Sequence, residues 1–362
     1  MKSPQPRKKA LFLYFELAGY FMACLDQLAA EFEVDIHLVR YPVSSVAPFQ
    51  FSFNQNTTVY ERNDYDANGL IQLVSAIQPD FVFICGWADK GYLAVAKSLQ
   101  KKIPVVMSLD NPWQGTLKQY AATLIGPVYL QKLFTHCWVP GEPNAVYARK
   151  LGFKNERLLT GMYSADTPLF HSYEAATREK KAGKFPHRFL FVGRLTVLKG
   201  IRELWQAFTA LQDNERKDWE LWCIGKGELE SEFPIHPAIK NIGFVQPDQL
   251  APYLENCGVF ILPTHYEHWG VVVHEFAAAG FPLICSTKTS AATAFLKEEW
   301  NGYYTQPRDV ASIKNALLKI IHHSDDELRT MGQRSKTLSD RITPHTWAQT
   351  VWNLINNKVV KN

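Results

Sequence analysis

The chain has 362 residues, 46% hydrophobic and 20% charged, enough apolar material for two packed domains and too much for a disordered or fibrous chain. A formal net charge of +4 is too weak to argue for nucleic acid, though it is compatible with an anionic substrate or peripheral contact with a membrane surface. The six scattered cysteines form no C-x-x-C pair and read as buried thiols of a reducing compartment; with no signal peptide or spanning segment read, a soluble cytoplasmic protein is expected, at most touching the inner face of the membrane.

Taken in order, the first half alternates strands and helices. Leu11–Phe15 reads as a strand, Glu16–Tyr20 as a turn holding Gly19, Phe21–Phe32 as a helix and Val34–Arg40 as a strand. Ala47–Asp66 lacks periodicity and reads as loop with short strands. Within it Asp64 and Asp66 imitate a metal-binding D-x-D, but without the expected strand context they read as a polar loop. Asn68–Gln78 is helical, Pro79–Trp87 a strand, Gly91–Lys101 a helix and Ile103–Leu109 a strand. The loop Asp110–Trp113, a helix over Gln114–Leu124, a strand at Cys137–Pro140, a helix at Asn144–Lys150 and a strand at Arg157–Thr160 complete a parallel, doubly wound domain. Ser164–Phe170 begins the crossing to a second domain, and Glu174–Lys184 reads as a charged, soluble spacer.

The second half repeats the alternation. A strand at Arg188–Val192 runs into the turn Gly193–Gly200, which carries Arg194 and Lys199, and then a helix over Ile201–Leu211. Trp219–Ile224 is a strand followed by Gly225-Lys-Gly227, and Ile239–Val245 a strand or turn. Pro247–Cys257 reads as a helix, its proline and Asp248 suiting a first turn. The apolar run Gly258–Pro263, a polar loop Thr264–Gly270, a helix over Trp269–Ala279 closed by Gly280 and a strand Phe281–Cys285 make one strand–loop–helix–strand unit. Asn301–Gln306 is a short strand, and Val310–His322, Asp325–Asp340 and Pro344–Val359 are helical. Ligands of open parallel sheets sit at the carboxyl ends of the strands, where the loop Thr264–Gly270 lies. Gly270 admits close approach, and the free N–H groups of the following helix, from Val271 on, favour an anion.

Two glutamates bracket that loop and helix, Glu267 and Glu275, with Trp269-Gly270 between and Ala-Ala-Gly-Phe-Pro after. This pattern, with F-V-G-R followed four residues later by Lys199-Gly200, resembles retaining glycosyltransferase family 4. The resemblance implies the GT-B fold: two Rossmann-like doubly wound domains facing a central cleft, here residues 1–165 for the acceptor and 166–343 for the donor, with a C-terminal helix in 344–362 packing back on the first. It implies transfer of a hexosyl group from a nucleotide-sugar to the hydroxyl of a sugar or lipid-linked sugar, with retention, in polysaccharide, lipopolysaccharide or glycolipid synthesis. Arg194 and Lys199 would hold the diphosphate in place of a metal, so neither metal nor cofactor is expected. Gly193, Gly225, Phe244, Val245, Gly270, Val271 and Gly19 would line the donor site, Glu275 would hold the ribose, and Glu267 would stand nearer the transferred sugar. Many members carry a histidine beside the aspartate after the fourth strand. Here Ser108-Leu-Asp-Asn111 has leucine instead, leaving Asp110 either a sugar-hydroxyl contact or a helix cap. His265, His268 and His274 cluster without metal-ligand spacing; one of them touching substrate is the better reading. Two other classes are weighed. A dehydrogenase needs G-x-G-x-x-G where only Gly19 stands, and a non-catalytic binding protein would sooner have lost one of the four charged residues.

Overall fold

The computed structural model describes residues 6–42, 51–246 and 249–356. The chain forms two compact units: residues 1–164 with 342–362, and residues 165–341. Outside the described residues lie part of the loop expected at Ala47–Asp66, the helix start expected at Pro247 and Asp248, and the end of the helix expected over Pro344–Val359.

The first unit runs β1 (Lys9–Leu13), α1 (Gly19–Glu31), β2 (Asp35–Arg40), β3 (Thr57–Glu61), α2 (Ala67–Ile77), β4 (Phe81–Cys85), α3 (Lys90–Leu99), β5 (Val105–Ser108), α4 (Leu117–Leu133), β6 (His136–Trp138), α5 (Glu142–Lys150) and β7 (Leu158–Leu159). Its strands are all parallel, in the order β3-β2-β1-β4-β5-β6-β7. Chain order therefore reverses direction between β1 and β4, a topological switch point. β1 and β4 are nearly continuous apolar runs because helices cover both faces. β3 (TTVYE) has no such run, since it is the half-exposed edge, and it supplies the strand context that Asp64 and Asp66 were expected to lack. Asp66 nonetheless serves the backbone: it caps α2 by accepting from the Gly69 N–H.

The second unit runs α6 (Thr167–Gly183), β8 (Arg188–Val192), α7 (Ile201–Thr209), α8 (Asp213–Arg216), β9 (Glu220–Ile224), β10 (Ile239–Gly243), α9 (Ala251–Asn256), β11 (Val259–Leu262), α10 (Val271–Ala278), β12 (Leu283–Ser286), α11 (Ala292–Phe295), β13 (Gly302–Thr305), α12 (Val310–His322) and α13 (Asp325–Ser339). The parallel order is β10-β9-β8-β11-β12-β13, with its own switch point between β8 and β11. Here the structure corrects the expected spacer: residues 174–183 are the later turns of α6, begun by an Asp166 cap and Pro168. Glu174 is buried, holding the Arg178 fork and the Lys336 ammonium of α13. Burial alone would raise its pKa, but those hydrogen bonds outweigh it and hold the carboxyl at about 2.

α14 (Pro344–Ile355) belongs to the first unit, where it packs on α1. Its Trp347 is fully buried, stacked on Trp138 at 5.2 Å and Phe12 at 5.8 Å, and donates its Nε1–H to the Met162 carbonyl at 3.0 Å.

Candidate active site

In the second unit, the loops after β8 and β11 leave adjacent strands at the switch point, the crevice where doubly wound sheets bind ligands. Backbone contacts weld them together. The Leu198 carbonyl accepts from the His265 N–H at 2.8 Å and the Thr264 hydroxyl at 2.7 Å. Gly200, at φ 67°, starts α7 so close to β11 that a Cβ would lie 2.1 Å from the Pro263 oxygen, so glycine is required there. The loop after β9 lies on top. Gly225 has φ 138°, and a Cβ on it would stand 1.9 Å from the Gly193 oxygen. The Leu195 N–H donates to the Lys226 carbonyl at 3.0 Å, and the Val197 N–H to the Glu228 carboxylate at 3.2 Å. The glycines after β8 and β9 are thus points where two backbones touch.

On this platform the charged residues separate. Lys199, at the end of a one-turn 3-10 helix, donates to the Glu267 carboxylate, and both side chains are mostly buried. Lys199 is therefore not an isolated cation awaiting an anion; it is already held by the first of the two glutamates. Arg194 is exposed, and among the described residues its side chain makes no hydrogen bond or ion pair. Glu267 is fixed through its backbone: its N–H donates to the Lys288 carbonyl at 3.0 Å, and its own carbonyl accepts the Ser290 hydroxyl at 3.3 Å. A Cβ on Gly270 would meet the Glu267 Cγ at 2.9 Å, so the start of α10 is pressed against this side chain. Val271 opens α10, half-buried. The turn after β12 that seats Glu267 carries no signal readable in sequence.

Glu275 lies in the second turn of α10, half-buried. Burial first, and the negative charge of Asp166 second, push its carboxyl up to about 7. Asp166, which caps α6, is thus an electrostatic neighbour of Glu275, an adjacency hidden by the sequence distance between them. At the end of β10 the Gly243 carbonyl accepts from the Gly225 N–H at 2.8 Å, while Phe244 and Val245, expected within a strand or turn, lie in the loop that follows. Phe244 is exposed.

The three histidines diverge. His274 is fully buried: its Nδ1 accepts from the Ala165 N–H at 3.0 Å, its Nε2 faces the Ser339 carbonyl at 3.0 Å, and its ring stacks on Phe295. It fastens α10 to its surroundings and has no face left for substrate. His265 stands in a relay, accepting from Arg308 Nε at 3.3 Å and facing Glu203 at 3.0 Å. With Nδ1 accepting, Nε2 carries the proton toward Glu203. His268 alone is exposed.

In the first unit, Gly19 is the first residue of α1 rather than part of the preceding turn, and a Cβ there would meet nothing within 4 Å. Asp110 follows β5. It does not cap the next helix, because Thr116 does that by accepting from the Gln119 N–H. Its carboxylate accepts from the Tyr163 hydroxyl and the Asn111 amide, each at 3.3 Å, and its carbonyl accepts from Asn144. Of the two expected roles for Asp110, the cap is thereby removed. A further carboxylate, Asp89, is held at about 2: burial opposes ionisation, but the Arg62 fork, the Tyr41 hydroxyl and the first N–H groups of α3 overcome it.

Two parallel, doubly wound sheets of seven and six strands define the GT-B class of protein. Anabaena HepE, solved in complex with UDP, shares the fold at TM-score 0.72 and 14% identity, over 96% of this chain and all of that one (100%). Residues 186–323, within the second unit, match the family described as Glycosyl transferases group 1. An uncharacterized glycosyltransferase of Methanocaldococcus jannaschii is 31% identical over 131 residues, 34% of this chain and 33% of its own length. Glycogen synthase of Mycobacterium tuberculosis is 26% identical over 289 residues, 76% of this chain and 67% of its own length. The chain thus spans between a third and two thirds of these relatives.

Proposed function

We propose that this chain is a glycosyltransferase that moves a hexosyl group from a nucleotide-sugar to an acceptor hydroxyl with retention, in the synthesis of a polysaccharide, lipopolysaccharide or glycolipid. The observation that carries the reading is the Lys199–Glu267 pair at the β8/β11 switch point, beside an exposed Arg194 and the start of α10. A nucleoside diphosphate arriving there meets two cations and a helix N-terminus, which offset the charge growing on the leaving diphosphate. Lys199 then turns part of its ammonium from Glu267 to the phosphate, and Glu267 is released toward the transferred sugar. Glu275 accepts from the ribose hydroxyls. Phe244, Val245, Gly193, Gly225, Gly270 and Val271 line the donor, and Asp110 meets the acceptor or sugar. No pair of carboxylates reads as nucleophile and acid. The proposed step is therefore attack on the same face as departure: the acceptor oxygen bonds to the anomeric carbon, the sugar–phosphate bond breaks, and the leaving phosphate takes the acceptor proton.

The test is a panel of nucleotide-sugars screened for thermal stabilisation, followed by product analysis by NMR. The expected result is stabilisation by one base and a product with the donor's anomeric configuration. An inverted product removes the mechanism, and stabilisation without transfer to any sugar acceptor favours a binding protein. Activity should persist in EDTA, because Arg194, Lys199 and the helix end supply the positive potential. Loss in EDTA that manganese restores would reverse that part of the proposal.

A further inference from the structure

α4 contradicts the usual arrangement of a surface helix, whose apolar side faces inward. Its buried residues are Gly126, Leu130 and Leu133, and it is seated by Gly126 against Leu151 and by Pro127 against Gly152. Its outward side is the more apolar one: Leu117 is 88% exposed, Leu124 81%, Ile125 63% and Val128 62%, with Tyr120 and Tyr129 also exposed. At 100° per residue, Leu117, Leu124 and Val128 fall within one narrow stripe opposite Gly126, flanked by Ile125 and Tyr120.

The charge on this helix is of one sign: its charged residues are Lys118 and Lys132. Residues 111–141 contain no Asp or Glu. Lys118 and Lys132 are exposed on the helix, and neither has an acidic partner among the described residues. Lys101 reaches the helix end, donating to the Gln131 carbonyl at 2.9 Å. Lys150 lies 4.7 Å over the Trp113 ring, which in turn meets Tyr120 edge-on. The nearby acid, Glu142, is taken by Arg149. Exposed aliphatic side chains, exposed tyrosines beside them and lysines as the helix's own charged residues are what a helix lying in a lipid headgroup layer requires. No helix among the described residues is long and apolar enough to cross a membrane, so the contact is one of lying on the surface.

We infer that the α4 face docks the chain onto an anionic bilayer, with Leu117, Leu124, Ile125 and Val128 entering the acyl boundary and Lys118 and Lys132 meeting lipid phosphates. This does not rest on the donor-site reading. The test is co-sedimentation of the full chain with vesicles of equal parts phosphatidylglycerol and phosphatidylcholine, against phosphatidylcholine alone. The anionic vesicles should be bound roughly 10- to 30-fold more strongly, the scale for a few basic residues near the surface, and less so at 0.5 M salt. L124E/V128E should abolish binding with an unchanged melting temperature, since both positions are exposed. K118E/K132E should remove the anionic preference. Absence of binding to either vesicle, or binding by L124E/V128E equal to the parent, overturns the inference. A concentration-dependent dimer in sedimentation velocity that L124E/V128E abolishes would assign the face to a second copy and overturn it equally.

Discussion

Lys199, Glu267 and Arg194 present different tests because only two of them are paired. Removing Arg194 takes one exposed cation from the site. R194A should lower turnover by about 10²-fold, the scale of losing one transition-state donor. Removing Lys199 does more: it leaves the Glu267 carboxylate unpaired beside the place a diphosphate would occupy. K199A should therefore weaken free nucleoside diphosphate binding more than R194A does, and K199A/E267Q should recover part of that loss. E267Q alone should bind the free nucleotide as well as the parent, or better, while turning over slowly. Calorimetry beside steady-state rates checks all four, and additive single effects would show that the ion pair is irrelevant to the ligand. Glu275 adds a pH signature. Its folded pKa, about 7, lies above that of an unfolded glutamate, so the folded state holds the extra proton. Stability from this group is full at acid pH and falls as pH rises between about 4.5 and 7. E275Q should flatten that part of the melting-temperature profile; an unchanged slope would mean the folded carboxyl does not titrate above its ordinary range.

At the scale of elements, the charged cluster in α6 behaves in the opposite sense. Glu174 is held at about 2, so its contribution is full above the ordinary glutamate range and is lost as pH falls from about 5 toward 2. E174A should cost roughly 2–4 kcal/mol at pH 7, as expected for leaving Lys336 without its partner, less some screening at the exposed Arg178. Urea unfolding at pH 7 and pH 3 measures it, and the parent and variant should converge in acid. That helix also marks where sequence reading fails. Strands such as β4, β11 and β12 were legible because they are apolar runs closed by Gly or Pro, and β1 by its apolar run alone. The Glu267–Gly270 loop was legible because its residue types are unusual between two buried strands. The stretch 174–184 read as a spacer because its charge density hides the one glutamate that is buried. The helix expected to stop at Leu124 continues to Leu133, because Gly126-Pro127 looks like a terminator and is instead a docking point against Leu151 and Gly152. The Asp110–Tyr163 and Glu275–Asp166 pairs join distant segments, and spacing alone carries no trace of them.

At the scale of the whole molecule, the chain builds one unit, then the other, and returns for α14. Each unit has its own sheet, and their cores are filled by different side chains. Trp347 belongs to the first: it stacks on Trp138 and Phe12, meets Phe21 edge-on, and hydrogen-bonds Met162. The proposed nucleotide site belongs to the second. The two can therefore be moved separately. W347A removes a fully buried indole and should cost its unit about 3–5 kcal/mol, from lost transfer energy and the cavity left behind. A nucleoside diphosphate should instead stabilise the second unit, by about 2.7 kcal/mol at a hundred times its dissociation constant. In scanning calorimetry, W347A should lower one transition and leave the ligand-sensitive one in place, while the ligand should raise only the other. If the tryptophan substitution and the nucleotide shift a single common transition, the two units unfold together and their stabilities are not separate. If the nucleotide raises the transition that W347A lowers, the donor site lies in the first unit, and the roles proposed for Arg194, Lys199, Glu267 and Glu275 fall with it.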